Sequence, residues 1–269
     1  MEARHKMKST VDIGGRSYTL ESDDEYLRHV GATFEPDMVR LFQTLAHGTV
    51  LDIGANIGCT ALLFSDLADH VHAFEPSPTT HELLVRNVRG AKGITTHNVG
   101  LGDAPGTTEL TFAPNNRSGG FVSNRTSASA GHTVEKISID TLDRVAGELG
   151  LTSVDFIKID VEGFEAHVIR GARKTLSRYS PIVVLELNHW CLNAFQRTSV
   201  PDFLDYLRSV FPILYAIQAH NYQDLHDASE SYIVMYRHIL QSQYATLVGA
   251  FDESQMKQFH LMYAHRVDG

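Results

Sequence analysis

The feature that most constrains this chain is a glycine-rich turn that follows a short apolar strand. The predicted strand Thr49–Ile53 runs directly into Gly54–Gly58, and apolar residues at helical spacing come next. A strand, a glycine turn and a helix in this order bring backbone close to a ligand at the carboxyl edge of a parallel sheet. We therefore expect this turn to form one wall of a ligand site.

The remaining pattern predicts an α/β fold. Short β-branched or apolar runs alternate with segments of helical spacing, which is typical of parallel strands joined by crossover helices. Two later runs, Ile213–Gln218 and Ser231–Arg237, are predicted to pair antiparallel because only a turn-like segment separates them. The predicted parallel strands are Thr49–Ile53, His70–Phe74, Ile94–Val99, Phe156–Asp160 and Ile182–Leu187. The sequence thus predicts a mostly parallel, seven-stranded Rossmann-like sheet, flanked by helices, with an antiparallel C-terminal hairpin.

One domain with short extensions is the simplest division of the 269 residues. Residues 36–240 are predicted to form the domain, after a partly structured N-terminal extension of residues 1–35. Residues 241–269 are predicted to form a C-terminal helical segment packed on the domain, because apolar residues recur at helical spacing from Tyr244 to Phe251.

Residues 107–139 are predicted to be an insertion within the domain. Two extra strands, Thr107–Phe112 and Thr133–Ile139, flank a long loop, Pro114–Gly131, that is rich in Asn, Ser and Gly. A loop of this length in a compact domain is either a functional cover or a mobile segment, and the sequence leaves both interpretations open.

The composition disfavours several classes of function. The formal net charge is −9, whereas nonspecific binding of nucleic acid needs clustered Lys and Arg, so a small or neutral substrate fits better. No apolar run has the length of a signal-peptide core or a membrane span. The two cysteines, Cys59 and Cys191, show no metal-ligand or redox spacing, which favours a reducing compartment. We therefore expect a cytoplasmic protein that binds neither nucleic acid nor membrane, while its oligomeric state stays open.

The details of the glycine turn favour S-adenosylmethionine over a dinucleotide. The nicotinamide fingerprint needs a glycine at its middle position so that the pyrophosphate can approach, and Asn56 occupies that position here. S-adenosylmethionine has no phosphate, and its amino-acid portion can be held by loop backbone and by polar side chains. We therefore predict that Asp52, Gly54, Ala55, Asn56 and Gly58 bind this cofactor.

Two further strand ends carry residues that suit the same cofactor. Glu75 follows the second predicted strand, where its carboxylate can accept hydrogen bonds from a ribose diol. Asp103 follows the third strand and can accept from the adenine amino group, while Gly102 lets the backbone approach the ring. Asp103 is also a common type of turn residue, and that alternative stays open.

These motifs resemble those of the FkbM family of S-adenosylmethionine-dependent methyltransferases. The resemblance runs from Phe34 to Asn188, and its markers are Asp52–Gly58, Phe74–Pro76 and Lys158–Glu165. It implies a class I methyltransferase fold, S-adenosylmethionine as cofactor, and methyl transfer to a hydroxyl oxygen. The implied acceptor is a sugar, a polyketide or a related small natural product.

Candidate catalytic residues stand where the fourth and fifth predicted strands end. Methyl transfer to an alcohol needs an in-line arrangement of the reacting atoms and a group that takes the proton. Asp160 closes the fourth strand and Glu162 opens the next helix, where a negative side chain also suits the helix dipole. Glu186 and His189 come at the end of the fifth strand. We predict that these four residues supply the catalytic groups, that Asp160 also contacts the cofactor, and that Lys158 neutralises a nearby carboxylate.

Other interpretations of the same residues stay open. Asp160, Glu186 and His189 could gather a divalent cation, but His is an unusual ligand for Mg²⁺ and no spacing demands a metal, so we predict no metal site. A nicotinamide-dependent sugar oxidoreductase is disfavoured by Asn56. A catalytically silent, methyltransferase-like partner protein is the remaining alternative.

Overall fold

The computed structural model describes residues 7–113, 115–123, 125–126 and 131–266. Pro114 and residues 124 and 127–130 of the predicted long loop lie outside the described residues, as do residues 1–6 and 267–269 of the predicted extensions. The strands in the described part of the chain are β1 (Met7–Ile13), β2 (Arg16–Ser22), β3 (Thr49–Ile53), β4 (His70–Phe74), β5 (Ile94–His97), β6 (Gly100–Leu101), β7 (Gly106–Ala113), β8 (Asn116–Val122), β9 (Thr133–Asp140), β10 (Phe156–Ile159), β11 (Ile182–Glu186), β12 (Ile213–Gln218), β13 (Asn221–Asp224), β14 (Thr246–Ala250) and β15 (Ala264–His265).

The helices complete the elements of the fold. A π-helical turn, Leu192–Gln196, follows α8, and a 3-10 turn, Glu253–Met256, precedes α11. The α-helices are α1 (Tyr26–Val30), α2 (Pro36–Leu45), α3 (Cys59–Leu67), α4 (Pro78–Asn87), α5 (Leu142–Glu148), α6 (Glu165–Arg170), α7 (Arg173–Tyr179), α8 (His189–Cys191), α9 (Val200–Arg208), α10 (Ala228–Gln241) and α11 (Lys257–Met262). Within the described ranges, no helix combines the length and the apolar character that crossing a membrane requires.

A mixed sheet forms the centre of the molecule. Among the described residues it has nine strands, in the order β15-β13-β12-β14-β11-β10-β3-β4-β5. The five strands of the run β11-β10-β3-β4-β5 are parallel to one another, which confirms the five predicted parallel strands with small differences at their ends. Ile53 is in register with both Ile159 and Phe74, so the carboxyl ends of β3, β4 and β10 lie side by side.

The central strands β3, β10 and β11 are mostly apolar, which is expected where both faces of a sheet are covered. Val50 and Leu51, which are neighbours in β3, are each fully buried and belong to two different hydrophobic clusters. Side chains of successive strand residues point to opposite faces, so these clusters pack on the two sides of the sheet.

An antiparallel C-terminal hairpin is present, but its predicted second strand is wrong. Ser231–Arg237 lies inside helix α10, whose first turn is capped by the Asp227 carboxylate, which accepts from the backbone amides of Ser229 and Glu230. The burial pattern is helical, because Val234 is buried while Tyr232 and Tyr236 are exposed. Two strands pair antiparallel with β12. They are β13, which follows β12 directly in the chain, and β14, which also pairs antiparallel with β11.

The position of β14 also corrects the predicted C-terminal segment and the strand count. Residues 246–250, expected to be helical, lie between β11 and β12, and Leu247, Val248 and Ala250 are fully buried. Burial on both faces makes the strand apolar throughout, so its spacing does not distinguish it from a helix. With β13 and β15 added at the edge beyond β12, the part of the sheet formed by described residues has nine strands, whereas seven were predicted.

The insertion contains more regular structure than the sequence predicts. Strands β7 and β9 are antiparallel, as expected, and belong to a second sheet of order β6-β9-β7-β8. Strand β8 lies in the predicted loop and pairs with the free edge of β7, with Leu110 opposite Val122. Asn116, Gly119 and Gly120 are residue types depleted in strands, so the pairing depends on the partner edge rather than on local preference.

The N-terminal segment is folded against the domain. Strands β1 and β2 form an antiparallel hairpin, and Val11, Ile13 and Leu20 are fully buried in the cluster that covers β3. After α1, the Phe34 amide donates to the Asp12 carbonyl at 2.9 Å. This bond fixes the entry to α2 and brings α1 and the start of α2 over the carboxyl edge of the central sheet.

Candidate active site

A cavity of about 310 Å³ lies at the carboxyl edge of the central sheet. Its volume is in the range of small-molecule pockets. The floor comes from the ends of β3, β4, β10 and β11, while α1, α2 and strand β8 of the insertion supply other walls. The predicted site residues that line it are Gly54, Ala55, Asn56, Glu75, Asp160, Glu162 and Glu186.

The glycine turn is held close to two neighbouring strands. The amides of Gly54 and Ala55 donate to the Phe74 carbonyl at 3.0 and 2.9 Å. Gly54 has φ +80°, and a Cβ atom there would lie 1.9 Å from the backbone oxygen of Asp160. A side chain at this position would therefore displace the end of β10, which explains the requirement for glycine.

A buried ion pair supports the turn from below. Asp52 is fully buried, accepts from Thr60 Oγ1 at 2.6 Å and lies 3.3 Å from Lys158 Nζ. Lys158 Nζ also donates to the Gly54 carbonyl at 2.7 Å and lies 3.5 Å from an Asp160 oxygen, so the predicted neutralisation is confirmed. Burial alone would lower the pKa of Lys158, but the charges of Asp52 and Asp160 outweigh burial and leave it raised. Asp52 and Gly58 do not line the cavity, so they support the turn rather than face a ligand.

Glu75 joins the second strand end to the turn. Its Oε2 accepts from the Asn56 amide at 3.1 Å, and its Oε1 accepts from the Ser77 amide at 2.9 Å. Burial raises the pKa of Glu75 to about 7 despite these two bonds. Each carboxylate oxygen has a second lone pair, so Glu75 retains capacity for a diol in the cavity.

The third strand end contributes other residues than those predicted. Gly102 and Asp103 do not line the cavity, and Asp103 Oδ2 lies 2.8 Å from His167 Nδ1 at the surface. Gly100 and Leu101, in the short strand β6, line the cavity instead. The chain turns away after β6 because the Gly102 amide donates to the Asp140 carbonyl of the insertion at 2.8 Å.

Three carboxyl groups converge where β10 and β11 end. Asp160, Glu162 and Glu186 each place an oxygen within 4.8 Å of the other two. Burial, and secondly the charge of Asp160, raises the pKa of Glu162 to about 7, although Cys191 Sγ donates to its Oε2 at 3.0 Å. Burial and the neighbouring carboxylates raise the pKa of Glu186 to about 10. At neutral pH, Glu186 therefore keeps its proton and Glu162 is close to half ionised.

His189 is not brought to this cluster. It does not line the cavity, its backbone amide donates to His238 Nε2 at 3.2 Å, and its ring packs edge-on against His238 at 5.1 Å. The set Asp160, Glu186 and His189, considered above for a cation, is therefore not assembled. Glu165, at the start of α6, does not line the cavity either. Its Oε1 accepts from the amides of Val161 and Gly163, while its Oε2 is buried without a partner among the described residues.

Tyr26 and Glu35 are among the cavity residues that sequence reasoning missed, and both come from outside the parallel strands. Tyr26 and Glu35 reach the cavity from the N-terminal segment, and Arg117 reaches it from β8. Glu35 has φ +24° and ψ 73°, an unusual backbone conformation for a residue other than glycine, which points to a functional constraint. The only sequence signal for Glu35 was its place next to Phe34, where the family resemblance begins. Arg117 lies in the polar stretch Asn115–Arg125 of the predicted loop, whose composition suits a polyol acceptor as well as a mobile loop.

Arg117 ties the insertion to the N-terminal segment. Its Nε and Nη2 donate to the two oxygens of Asp23 at 2.7 and 2.9 Å, and its Nη1 donates to Thr79 Oγ1 at 2.6 Å. The guanidinium also lies 5.0 Å from the ring centroid of Phe112. A bidentate buried pair of this kind holds the roof of the cavity in one geometry.

The fold and the site together define a class I methyltransferase. Strands β5-β4-β3-β10-β11-β14-β12 have the strand order of that class, with the antiparallel β14 inserted between β11 and β12. A sequence model described as the Methyltransferase FkbM domain matches residues 52–223. The chain belongs to this family of methyltransferases, which confirms the resemblance seen in its motifs.

Two relatives and one solved structure are similar to parts of this chain. The hexuronic acid methyltransferase AglP of Haloferax volcanii is 31% identical over 184 residues, which cover 67% of this chain and 74% of AglP. The 2-O-methyltransferase NoeI of Sinorhizobium fredii is 30% identical over 145 residues, covering 48% of this chain and 59% of NoeI, less than two thirds of its length. The crystal structure of Methyltransferase FkbM from Methylobacillus flagellatus aligns with a TM-score of 0.43 at 20% identity, covering 61% of this chain and 37% of that one.

Proposed function

We propose that this chain transfers the methyl group of S-adenosylmethionine to a hydroxyl oxygen of a sugar or a related natural product. Family membership supports methyl transfer, and the names of two relatives specify a hexuronic acid and a 2-O-methylation. The observation that carries the proposal is the presence of Glu75, Glu162 and Glu186 in one cavity beside the glycine turn. Such a cavity offers one carboxylate to a ribose and others to an acceptor hydroxyl.

The chemistry of the cavity fits the cofactor. Glu75 can accept from both ribose hydroxyls, and an apolar wall of Val99, Leu101 and Ile139 suits the adenine ring. Bound there, S-adenosylmethionine supplies an electrophilic methyl group on a positively charged sulfur.

The carboxylates beside the glycine turn suit the amino-acid portion of the cofactor. Glu35 and Asp160 both line the cavity. The charge of Lys158 partly offsets the repulsion that Asp160 exerts on the Glu35 carboxylate. Burial, followed by the charge of Asp160, raises the pKa of Glu35. A cationic ammonium group placed between these two carboxylates would relieve that repulsion.

Glu162 is the proposed general base. Proton removal from an alcohol is most effective when the base titrates near the working pH, and the pKa of Glu162 is about 7. Cys191 holds one of its oxygens through the Sγ hydrogen bond, which leaves the other oxygen to face the cavity.

Glu186 is proposed to orient the acceptor rather than to take its proton. Its Oε2 is buried and has no hydrogen-bond partner among the described residues. Because the carboxyl group stays protonated at neutral pH, it can donate to the acceptor oxygen and restrict its approach to the methyl carbon.

The test combines binding with turnover. Calorimetric titration with S-adenosylhomocysteine is expected to show a single site, and transfer of labelled methyl groups is expected for one or more members of a panel of hexuronates and hexosides. Absence of S-adenosylhomocysteine binding would contradict methyl transfer. Binding without transfer to any sugar of the panel would contradict the acceptor class and favour a catalytically silent protein.

A further inference from the structure

We propose that a second pocket beside the active site binds a neighbouring sugar unit of a glycan acceptor. This pocket, called the Trp190 pocket, is lined by Trp190, Asn193, Ala194, Arg197, Ser199 and Asp202. The inference rests on the proposed function in one respect, namely that the acceptor is a sugar. It adds that the acceptor extends beyond the unit that receives the methyl group.

Trp190 provides an aromatic surface for this pocket. Trp190 is 60% exposed and is surrounded by the polar side chains of this pocket. The indole is supported by Phe195, edge-on at 5.1 Å, and Phe195 is stacked on Phe121 of β8 at 3.8 Å. A supported, exposed indole is the type of surface against which the C–H face of a pyranose ring packs.

The other side chains supply hydrogen-bonding groups around the indole. Asn193, Arg197 and Asp202 are all exposed. Asp202 Oδ2 accepts from Ser199 Oγ at 2.6 Å, and Arg197 Nη1 donates to the Asn193 carbonyl at 3.2 Å, which orients both charged groups. Carboxylate and amide groups can bind adjacent hydroxyls, and a guanidinium can pair with a uronate carboxylate through two parallel hydrogen bonds.

Chain neighbours of the Trp190 pocket residues make two contacts with the active site. Next to Trp190 in the chain, Cys191 donates to Glu162, the proposed base. In the second contact, Gln196 Nε2 donates at 2.7 Å to the carbonyl of Val122, a residue that lines the main cavity. The segment that carries the Trp190 pocket therefore packs against the wall of the main cavity, and an acceptor bound there can extend toward Trp190.

The backbone between these connections is unusual. Leu192–Gln196 forms a π-helical turn, and Arg197 at its end has φ +56°. π-Helical turns are rare and often occur at functional sites. Here the turn places Asn193 and Arg197 on the same rim as Trp190.

Trp190 is the single tryptophan of the chain, so its fluorescence reports on this pocket alone. The protein saturated with S-adenosylhomocysteine is titrated with a tetrasaccharide of alternating glucuronic acid and N-acetylglucosamine, and separately with the neutral tetramer of N-acetylglucosamine. A saturable change in emission with either oligosaccharide is expected. If neither oligosaccharide changes the emission, the proposal is overturned. Failure to bind S-adenosylhomocysteine would contradict the proposed function instead.

Two variants test the individual contributions. Arg197→Met is expected to weaken binding of the uronate tetrasaccharide about tenfold or more, because a charge-assisted hydrogen bond is lost. For Trp190→Ala, KM is compared between an oligosaccharide that the enzyme methylates and the corresponding monosaccharide. The ratio of the first KM to the second is expected to rise about tenfold. The proposal would be overturned if Arg197→Met bound the uronate tetrasaccharide with unchanged affinity and Trp190→Ala left the KM ratio unchanged. The matched controls are Arg89→Met and Tyr232→Ala. Arg89 is an exposed arginine after α4, and Tyr232 is a 64% exposed aromatic residue on α10. Retained S-adenosylhomocysteine binding shows that each variant is folded.

Discussion

Lys158 Nζ donates a hydrogen bond to the backbone carbonyl of Gly54 at 2.7 Å, so a buried cation on β10 holds the glycine turn that ends β3. In the register of the two strands, Lys158 lies directly opposite Asp52. The ion pair and the hydrogen bond therefore link the stability of the sheet to the shape of the cofactor cavity.

Replacing Lys158 with Met is expected to destabilise the protein strongly. It leaves the fully buried Asp52 without its counter-charge, a change that costs roughly 3 to 5 kcal/mol and lowers Tm by roughly 6 to 20 °C. Differential scanning calorimetry measures this change. The double variant Asp52→Asn with Lys158→Met should recover part of the loss, and exposed Lys174→Met should match the wild type. Equal Tm values for K158M and K174M would show that the pair contributes little.

Replacing Glu75 with Gln is expected to weaken cofactor binding. The amide keeps the shape of the side chain but loses the charge that strengthens hydrogen bonds to ribose hydroxyls, worth about tenfold to roughly a hundredfold in Kd. Calorimetric titration with S-adenosylhomocysteine and with adenosine measures the effect, which should be similar for both because both carry the ribose. Glu109→Gln, at an exposed position of β7, is the control. Wild-type affinity in E75Q would remove Glu75 from the ribose site.

The rate of methyl transfer is expected to rise with pH through about 7, the pKa of Glu162. The sign follows from the role of Glu162, because only its ionised form accepts a proton. Glu162→Gln should lower kcat by roughly 10² to 10⁴ and remove this inflection. Cys191→Ala should move it to higher pH, because the thiol that stabilises the carboxylate is lost. A pH profile that is the same in E162Q and the wild type would reject Glu162 as the base.

His189→Ala is expected to retain turnover, since His189 does not line the cavity and packs against His238. A general base would instead lose roughly 10² to 10⁴ in kcat on removal. Steady-state kinetics at saturating cofactor distinguishes the two outcomes. A loss of that size with normal S-adenosylhomocysteine affinity would restore His189 as the base and displace Glu162.

Glu186 is expected to make stability depend on pH. Its pKa rises from 4.5 in the unfolded chain to about 10 in the folded protein, so the folded state binds the proton more tightly. The resulting stabilisation is complete below about 4.5 and is lost progressively as the pH rises toward 10. Glu186→Gln cannot ionise, so its Tm should fall less than that of the wild type between acidic and alkaline pH, by a few degrees or more. Parallel Tm curves for the two proteins would show that Glu186 ionises normally.

The parallel half of the fold could be predicted from sequence because its signals are local. The bounds of β3 and β4 match those predicted, and the glycine turn and Glu75 lie in one cavity. The antiparallel half could not be predicted in this way. Strand β14 is buried on both faces and so shows no alternation of apolar and polar residues, while helix α10 carries apolar side chains, Tyr232 and Tyr236, on its exposed face. Spacing alone does not separate these two cases.

The site divides in the same way. The carboxyl ends of parallel strands meet at one edge of the sheet, whatever the rest of the chain does. The local pattern was therefore enough to place Glu75, Asp160, Glu162 and Glu186 beside the turn that begins at Gly54. Contacts between distant segments placed the others. Glu35 and Arg117 enter the cavity because the N-terminal segment and the insertion are tied together by the pair Asp23–Arg117, and Asp103 stays at the surface because β6 joins the insertion. Such contacts depend on long-range packing, which no local pattern of residues encodes.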